Sequence, residues 1–119
     1  MHPLMSFSEK LYKLETYQEL VFITEELVDF KQIFPSLKNQ SHSIKKEDKA
    51  YYHALCVMSG NFTSILWAKL FSELETKLKI PKEAAFTYLN SIRDNLIHDY
   101  KNALTGPLIR KDLLGILRA

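Results

Sequence analysis

Lys49-Ala50-Tyr51-Tyr52-His53-Ala54-Leu55-Cys56-Val57-Met58-Ser59-Gly60-Asn61-Phe62-Thr63-Ser64-Ile65-Leu66 is the stretch on which the fold turns. Its apolar residues recur at helical steps, and the pattern runs on beyond it. Tyr51, Leu55, Met58, Phe62, Ile65, Leu70, Leu74 and Leu78 follow one another at intervals of three, four or five residues. This predicts one long helix from about Lys46 to Lys79. At a rise of ~1.5 Å per residue such a helix extends roughly 50 Å, whereas a domain of this size has a radius of gyration near ~13–14 Å. A helix of that length either kinks, with Gly60 the natural place, or packs against a second copy of itself. The second copy is the expectation.

On the C-terminal side, Pro81 suits the first turn of another helix, whose apolar stripe is Ala85, Leu89, Ile92, Leu96 and Tyr100. A loop follows at Asn102, and Pro107 can open a short final helix through Leu117. On the N-terminal side, residues 1–16 read as loop with at most one helical turn, anchored by Phe7, Leu11 and Leu14. Glu19–Thr24 is β-branched and apolar on both faces, which suggests a short strand covered on two sides. Asp29–Leu37 suits a short amphipathic helix carrying Phe30, Ile33 and Phe34 on one side and limited by Pro35. Ser41–Ile44 is a second, weaker strand. Two strands joined by one helix make a poor free-standing sheet and a good addition to the edge of another. The fold expected is therefore mainly α: a helical bundle with one long helix over residues 46–119, plus a small two-strand α/β appendage over residues 1–45.

Composition narrows the function classes. A chain of 119 residues has the length of one domain. Apolar residues at 46% and charged residues at 25% fall in the range of soluble globular proteins. Sixteen basic and fourteen acidic residues leave a net charge of +2 with the signs interspersed, so there is no nucleic-acid-binding tail. Lys45, Lys46 and Lys49 are diluted by Glu47 and Asp48 and read as a solvated helix start. Cys56, the only cysteine, rules out an intrachain disulfide and fits a reducing cytoplasm. No basic region followed by an apolar stretch opens the chain, and no window of about 18 residues is free of both charge and polarity, so neither secretion nor a membrane span is expected. Met1-His2-Pro3-Leu4, a proline-bearing loop with no element before it, reads as a chain entered midway.

Two features can carry chemistry. Lys49, His53, Gly60, Asn61 and Ser64 form a polar stripe at roughly helical spacing beside the apolar one. Such a stripe can line a cleft, where a histidine and an amide orient a carbonyl or carboxylate. The residues alone favour the plainer pattern of a solvated lysine, a hydrogen-bonded histidine and a glycine that permits close helix contact. The second feature is Leu104-Thr105-Gly106-Pro107-Leu108-Ile109-Arg110-Lys111-Asp112. A helix start with free backbone N–H groups, a threonine hydroxyl and an arginine one turn in can hold an anion, and a plain helix cap uses the same letters. His2, His42, His53 and His98 have no metal-ligand spacing. The three glycines, at 60, 106 and 115, form no phosphate-binding loop, and Cys56 falls among apolar helix positions as packing.

Together these segments resemble a known family: Rossmann-like proteins with a C-terminal domain of unknown function (number 2520), regarded as NAD(P) oxidoreductases related to pyrroline-5-carboxylate reductase. The resemblance rests on His2-Pro3-Leu4 with Phe7, Lys49-Ala50-Tyr51-Tyr52-His53, Asn61-Phe62, and Ala103-Leu104-Thr105-Gly106-Pro107 with Arg110 and Asp112. It implies a helical domain like the C-terminal domain of 6-phosphogluconate dehydrogenase, forming an intertwined homodimer. In that arrangement the strands of residues 1–45 extend the sheet of a preceding nucleotide-binding domain. It also implies a cleft in which NAD or NADP, held by the other domain, meets a small-molecule substrate. The resemblance makes His53, Asn61, Thr105, Gly106 and Arg110 the substrate-facing residues, His2 a residue near the nicotinamide, and Lys49 and His53 the catalytic candidates. This sequence lacks the GxGxxG strand–turn–helix, so no cofactor is expected on this chain alone and no catalysis by it. Two alternatives stand beside that expectation: a self-standing helical dimeric interaction module, whose two strands would pair in a covered sheet, and a small-anion sensor using Thr105, Gly106 and Arg110.

Overall fold

The computed structural model describes residues 1–104, which fall in two compact units, 1–66 and 67–104, with the division inside the long helix. The first unit holds strand β1 (His2–Pro3), helix α1 (Leu14–Glu19), strand β2 (Phe22–Glu25), helix α2 (Phe30–Ile33) and strand β3 (Ser41–Ile44). The long helix follows as a 3₁₀ turn (Lys46–Asp48), α3 (Lys49–Val57), a π-helical turn (Met58–Phe62) and α4 (Thr63–Thr76). A 3₁₀ turn (Lys82–Ala85), α5 (Phe86–Asp99) and a last 3₁₀ turn (Tyr100–Asn102) complete the described chain.

The sheet has three strands rather than the two expected, in the order β1-β2-β3. β2 and β3 run parallel with Phe22 opposite Ser41 and Glu25 opposite Ile44, and α2 lies in the crossover that a parallel pair requires. β1 is antiparallel to β2, with His2 opposite Ile23, and the Leu4 N–H extends the pairing to the Val21 carbonyl at 2.9 Å. Two residues with a proline carry no alternation to read, so β1 had no sequence signal. β2 begins later than Glu19–Thr24 because α1 takes Glu19 into its last turn.

Phe30 anchors this unit. It is 2% exposed, stacks on Phe22 with ring centroids 4.8 Å apart and meets Phe34 at 5.5 Å. Asp29 starts α2 by accepting the Lys31 N–H at 2.9 Å, and the helix stops after four residues, before Pro35. Asn39 is buried, and its amide donates to the carbonyls of Tyr17 and Leu20 at 2.7 and 2.8 Å, tying the end of α1 to the chain that enters β3. Phe7, Leu11 and Leu14, expected as anchors, are all exposed; Leu20 and the Asn39 amide hold that region instead. Of the α2 stripe only Phe30 is buried, and Ile33 and Phe34 remain exposed.

In the second unit Trp67 and Phe71 of α4 meet Tyr88 and Phe86 of α5 edge to face, at 5.4 and 5.8 Å. Ala85 is buried, and Leu89 and Ile92 are half-buried as the stripe predicted, while Leu96 and Tyr100 are exposed. α4 ends at Thr76, three residues short of the expected Lys79, and Lys79 adopts φ 57° so that the Ile80 N–H reaches back to the Leu74 carbonyl at 2.8 Å.

The long helix is almost bare. Ala50–Ala68 contains no Asp, Glu, Lys or Arg, and Tyr51, Leu55, Met58, Phe62, Ile65 and Leu66 are 45–69% exposed. By length and composition Lys46–Thr76 suffices to cross a membrane, at mean hydropathy 1.3 and with none of its apolar window buried. Charge is therefore absent from this window, which only its scattered polar residues interrupt. Gly60 sits in the π turn, where the Ser64 hydroxyl donates to its carbonyl at 3.0 Å. A π turn takes more residues than an α turn, so the apolar rows before and after it are rotated relative to each other and apolar surface occupies more than one face. Glycine inside a helix costs about 1 kcal/mol relative to alanine.

Removing the Phe30 ring empties the one fully enclosed side-chain position of the first unit. Phe30→Ala should lower stability by about 3 kcal/mol in urea denaturation. An unchanged midpoint would show that the sheet is held by something else.

Candidate functional site

The N-terminal end of the long helix lies against the last residue of β2. The Lys49 ammonium forms an ion pair and hydrogen bond with the Glu25 carboxylate, joining residues 24 apart in sequence. Parallel pairing of Glu25 with Ile44, followed by the short link to Lys46, brings the two together. Glu25, Lys46, Lys49, Ala50 and His53 line a shallow depression of about 440 Å³. Lys49 and His53 are one helical turn apart, so both reach it. Hydrogen bonding and charge from Lys49 hold the Glu25 carboxyl below its ordinary range, with smaller help from Lys46 and the N-terminus.

A second cluster lies on the next residue round the helix. His2 Nδ1 and the Tyr52 hydroxyl are hydrogen-bonded at 2.9 Å, with the rings edge to face at 5.6 Å. Partial burial, seconded by a hydrogen bond with Cys56, pushes the Tyr52 phenol up to about 12. Cys56 is half-buried and serves as a neighbour of Tyr52. β1, the strand without a sequence signal, is what carries His2 to the helix.

The structure thus brings Lys49 and His53 together and sets His2 on the adjoining tyrosine. Asn61 lies two turns further on, on the order of 12 Å from His53 along the axis, exposed beside Gly60. Thr105, Gly106 and Arg110 lie outside the described residues. Glu25 is the site residue that sequence reasoning missed, because nothing local marks the last residue of an apolar strand as the partner of a lysine beyond the next strand.

The described residues do not suit a dinucleotide. The turn from β2 into α2 contains no glycine, and the four-residue α2 has its N-terminus occupied by the Asp29 carboxylate, where a pyrophosphate would be repelled. Among the described residues no group of three or more His, Cys, Asp or Glu is placed to hold a metal ion. What the arrangement offers is a cationic and imidazole-bearing lip that can receive an anionic or carbonyl oxygen, with Glu25 already in the position of a carboxylate.

The chain is therefore a small sheet joined to a mainly helical domain whose polar site sits at the head of its long helix. Residues 23–118 match the family described as Domain of unknown function (DUF2520), and the chain belongs to that family. No curated protein and no solved structure matches it.

Because Glu25 is shifted down by Lys49, its contribution to folding is present above the ordinary carboxylate range and is lost as pH falls through its depressed value. Lys49→Met should return the Glu25 carboxyl to the ordinary range in an NMR titration and flatten the acid limb of the stability profile. An unmoved Glu25 titration would contradict the pair.

Proposed function

We propose that this chain is the dimerisation and substrate-binding domain of an NAD(P)-dependent oxidoreductase related to pyrroline-5-carboxylate reductase, with a helical part like the C-terminal domain of 6-phosphogluconate dehydrogenase. The exposed, charge-free helix carries this reading. A helix that is apolar on more than one face is a buried helix. At roughly 200 Å² for a large apolar side chain, its six exposed residues present on the order of 700 Å². Two copies would bury about 1,400 Å², within the ~1,200–2,000 Å² of stable protein interfaces. His53, Ser59, Asn61 and Thr63 interrupt the same stretch, and in hydrocarbon the His53 ring and the Asn61 amide would lack partners, so protein cover is favoured over lipid.

In this reading a nucleotide-binding domain supplies NAD or NADP, which brings hydride-transfer chemistry, and the three-stranded sheet adds to its edge. Lys49 and His53 hold and orient an oxygen of a small-molecule substrate, with Glu25 positioning Lys49. Asn61, Thr105, Gly106 and Arg110 complete the substrate side, His2 lies toward the nicotinamide, and the protein works in the cytoplasm without nucleic acid or membrane. The chain alone is not catalytic. The rival reading, a self-standing dimeric interaction module, draws support from the pairing of β2 with β3 over a buried Phe30, and it too requires the helix to be covered.

Light scattering over a wide range of concentration tests this reading. The expected mass is twice the 13.9 kDa of the chain. Neither dinucleotide should raise the melting temperature, since in this reading the missing domain holds the cofactor. A mass of 13.9 kDa at every concentration would contradict the dimer, and stabilisation by NAD or NADP would contradict the division of labour.

A further inference from the structure

The geometry points to a small monocarboxylate as the substrate, its carboxylate taking on Lys49 the place that the Glu25 carboxylate holds and its remainder lying along Ala50 toward His53. Glu25 is then an internal stand-in for the substrate, keeping Lys49 over the depression until the substrate displaces it. This rests on the reading of Lys49 and His53 as the substrate-holding residues and names the class of substrate they take.

Lys46, Lys49 and His53 follow one another at steps of three and four residues, which puts all three on one face at the head of the long helix. Glu25 is the acid that meets them. One oxygen of its carboxylate, Oε1, accepts from Lys49, and Lys46 acts on it by charge. An ammonium has three N–H donors, so Glu25 leaves Lys49 with more to give. The carboxylate also takes up only one part of the depression. Ala50 and His53 line the rest, and the walls are largely apolar. A cation that already holds a carboxylate, an apolar wall beside it and an imidazole one helical turn further on are the elements that recognise a short-chain carboxylate.

Exchange of one carboxylate for another is cheap here. The Glu25 and Lys49 side chains are 32% and 63% exposed, and an ion pair so open to water contributes little to folding. The Glu25 side chain can turn out to solvent without altering the backbone pairing of Glu25 with Ile44. Charge selects a monoanion over a dianion. Residues 25–26 and 45–49, the two segments beside the depression, carry Glu25, Glu26, Glu47 and Asp48 against Lys45, Lys46 and Lys49. The excess acid repels a phosphate dianion more strongly than a carboxylate.

An amide NMR titration of the chain with butyrate, butanone and inorganic phosphate tests the assignment. Butyrate should shift the resonances of Glu25, Lys49, Ala50 and His53 with a Kd on the order of millimolar, as suits so small a ligand. Phosphate should leave them in place. Glu25→Gln, which frees Lys49 of its own carboxylate, should tighten butyrate binding about twofold to fivefold, the worth of an exposed ion pair. Lys49→Met should abolish it. If Glu25→Gln binds butyrate no more tightly than the parent chain, or phosphate shifts the same resonances as strongly as butyrate, the proposal is wrong. If butanone shifts them and butyrate does not, the carboxylate class is wrong and the substrate site stands. If none of the three probes reaches Lys49 and His53, the substrate site falls as well.

Discussion

Hydrophobic cover for the helix Lys46–Thr76 is the constraint on which the rest of this molecule depends. The first unit encloses little beyond Phe30, Leu20, Thr24 and Asn39. The aromatic contacts of the second unit involve Trp67 and Phe71, beyond the barest part of the helix. Between Tyr51 and Leu66 six large apolar side chains stand in solvent, more surface than a soluble monomer ordinarily leaves in one patch. Nineteen consecutive uncharged residues, Ala50–Ala68, make up this part of the helix, and in the reading proposed above they are kept for contact with protein. The polar residues scattered among them fit that cover better than they fit a bilayer.

The same helix organises the polar site. Its first turn places Lys49 and His53 on the depression beside Glu25, and its second residue pair sets Tyr52 against His2. The sheet therefore does more than decorate the helix: β2 delivers the carboxylate and β1 the histidine. This coupling gives residues 1–45 a part in the site as well as in the sheet. It also explains why a short, two-residue strand with a proline is worth its place at the sheet edge.

Most of this architecture was legible in the residues, for identifiable reasons. The 3.6-residue recurrence from Tyr51 to Leu78 is long enough to override local ambiguity, and Pro81 marks the next helix start without competition. Ser41–Ile44 was recovered with its bounds intact. What escaped notice was non-local. β1 exists because of Ile23 and Phe22 across the sheet, and Glu25 matters because of a lysine 24 residues away. The exposure of Phe7, Leu11 and Leu14 follows from Leu20 and Asn39 taking the anchoring places, a choice that apolar letters alone cannot show. The π turn at Met58–Phe62 was foreshadowed only by the glycine inside it.

Amide hydrogen exchange, followed residue by residue across Tyr51–Leu66 at low and at high protein concentration, tests the covered helix most directly. Cover by a second copy predicts protection that rises steeply with concentration in this stretch and stays level in the sheet around Phe30. Exchange across Tyr51–Leu66 that is equally fast at every concentration would contradict the account.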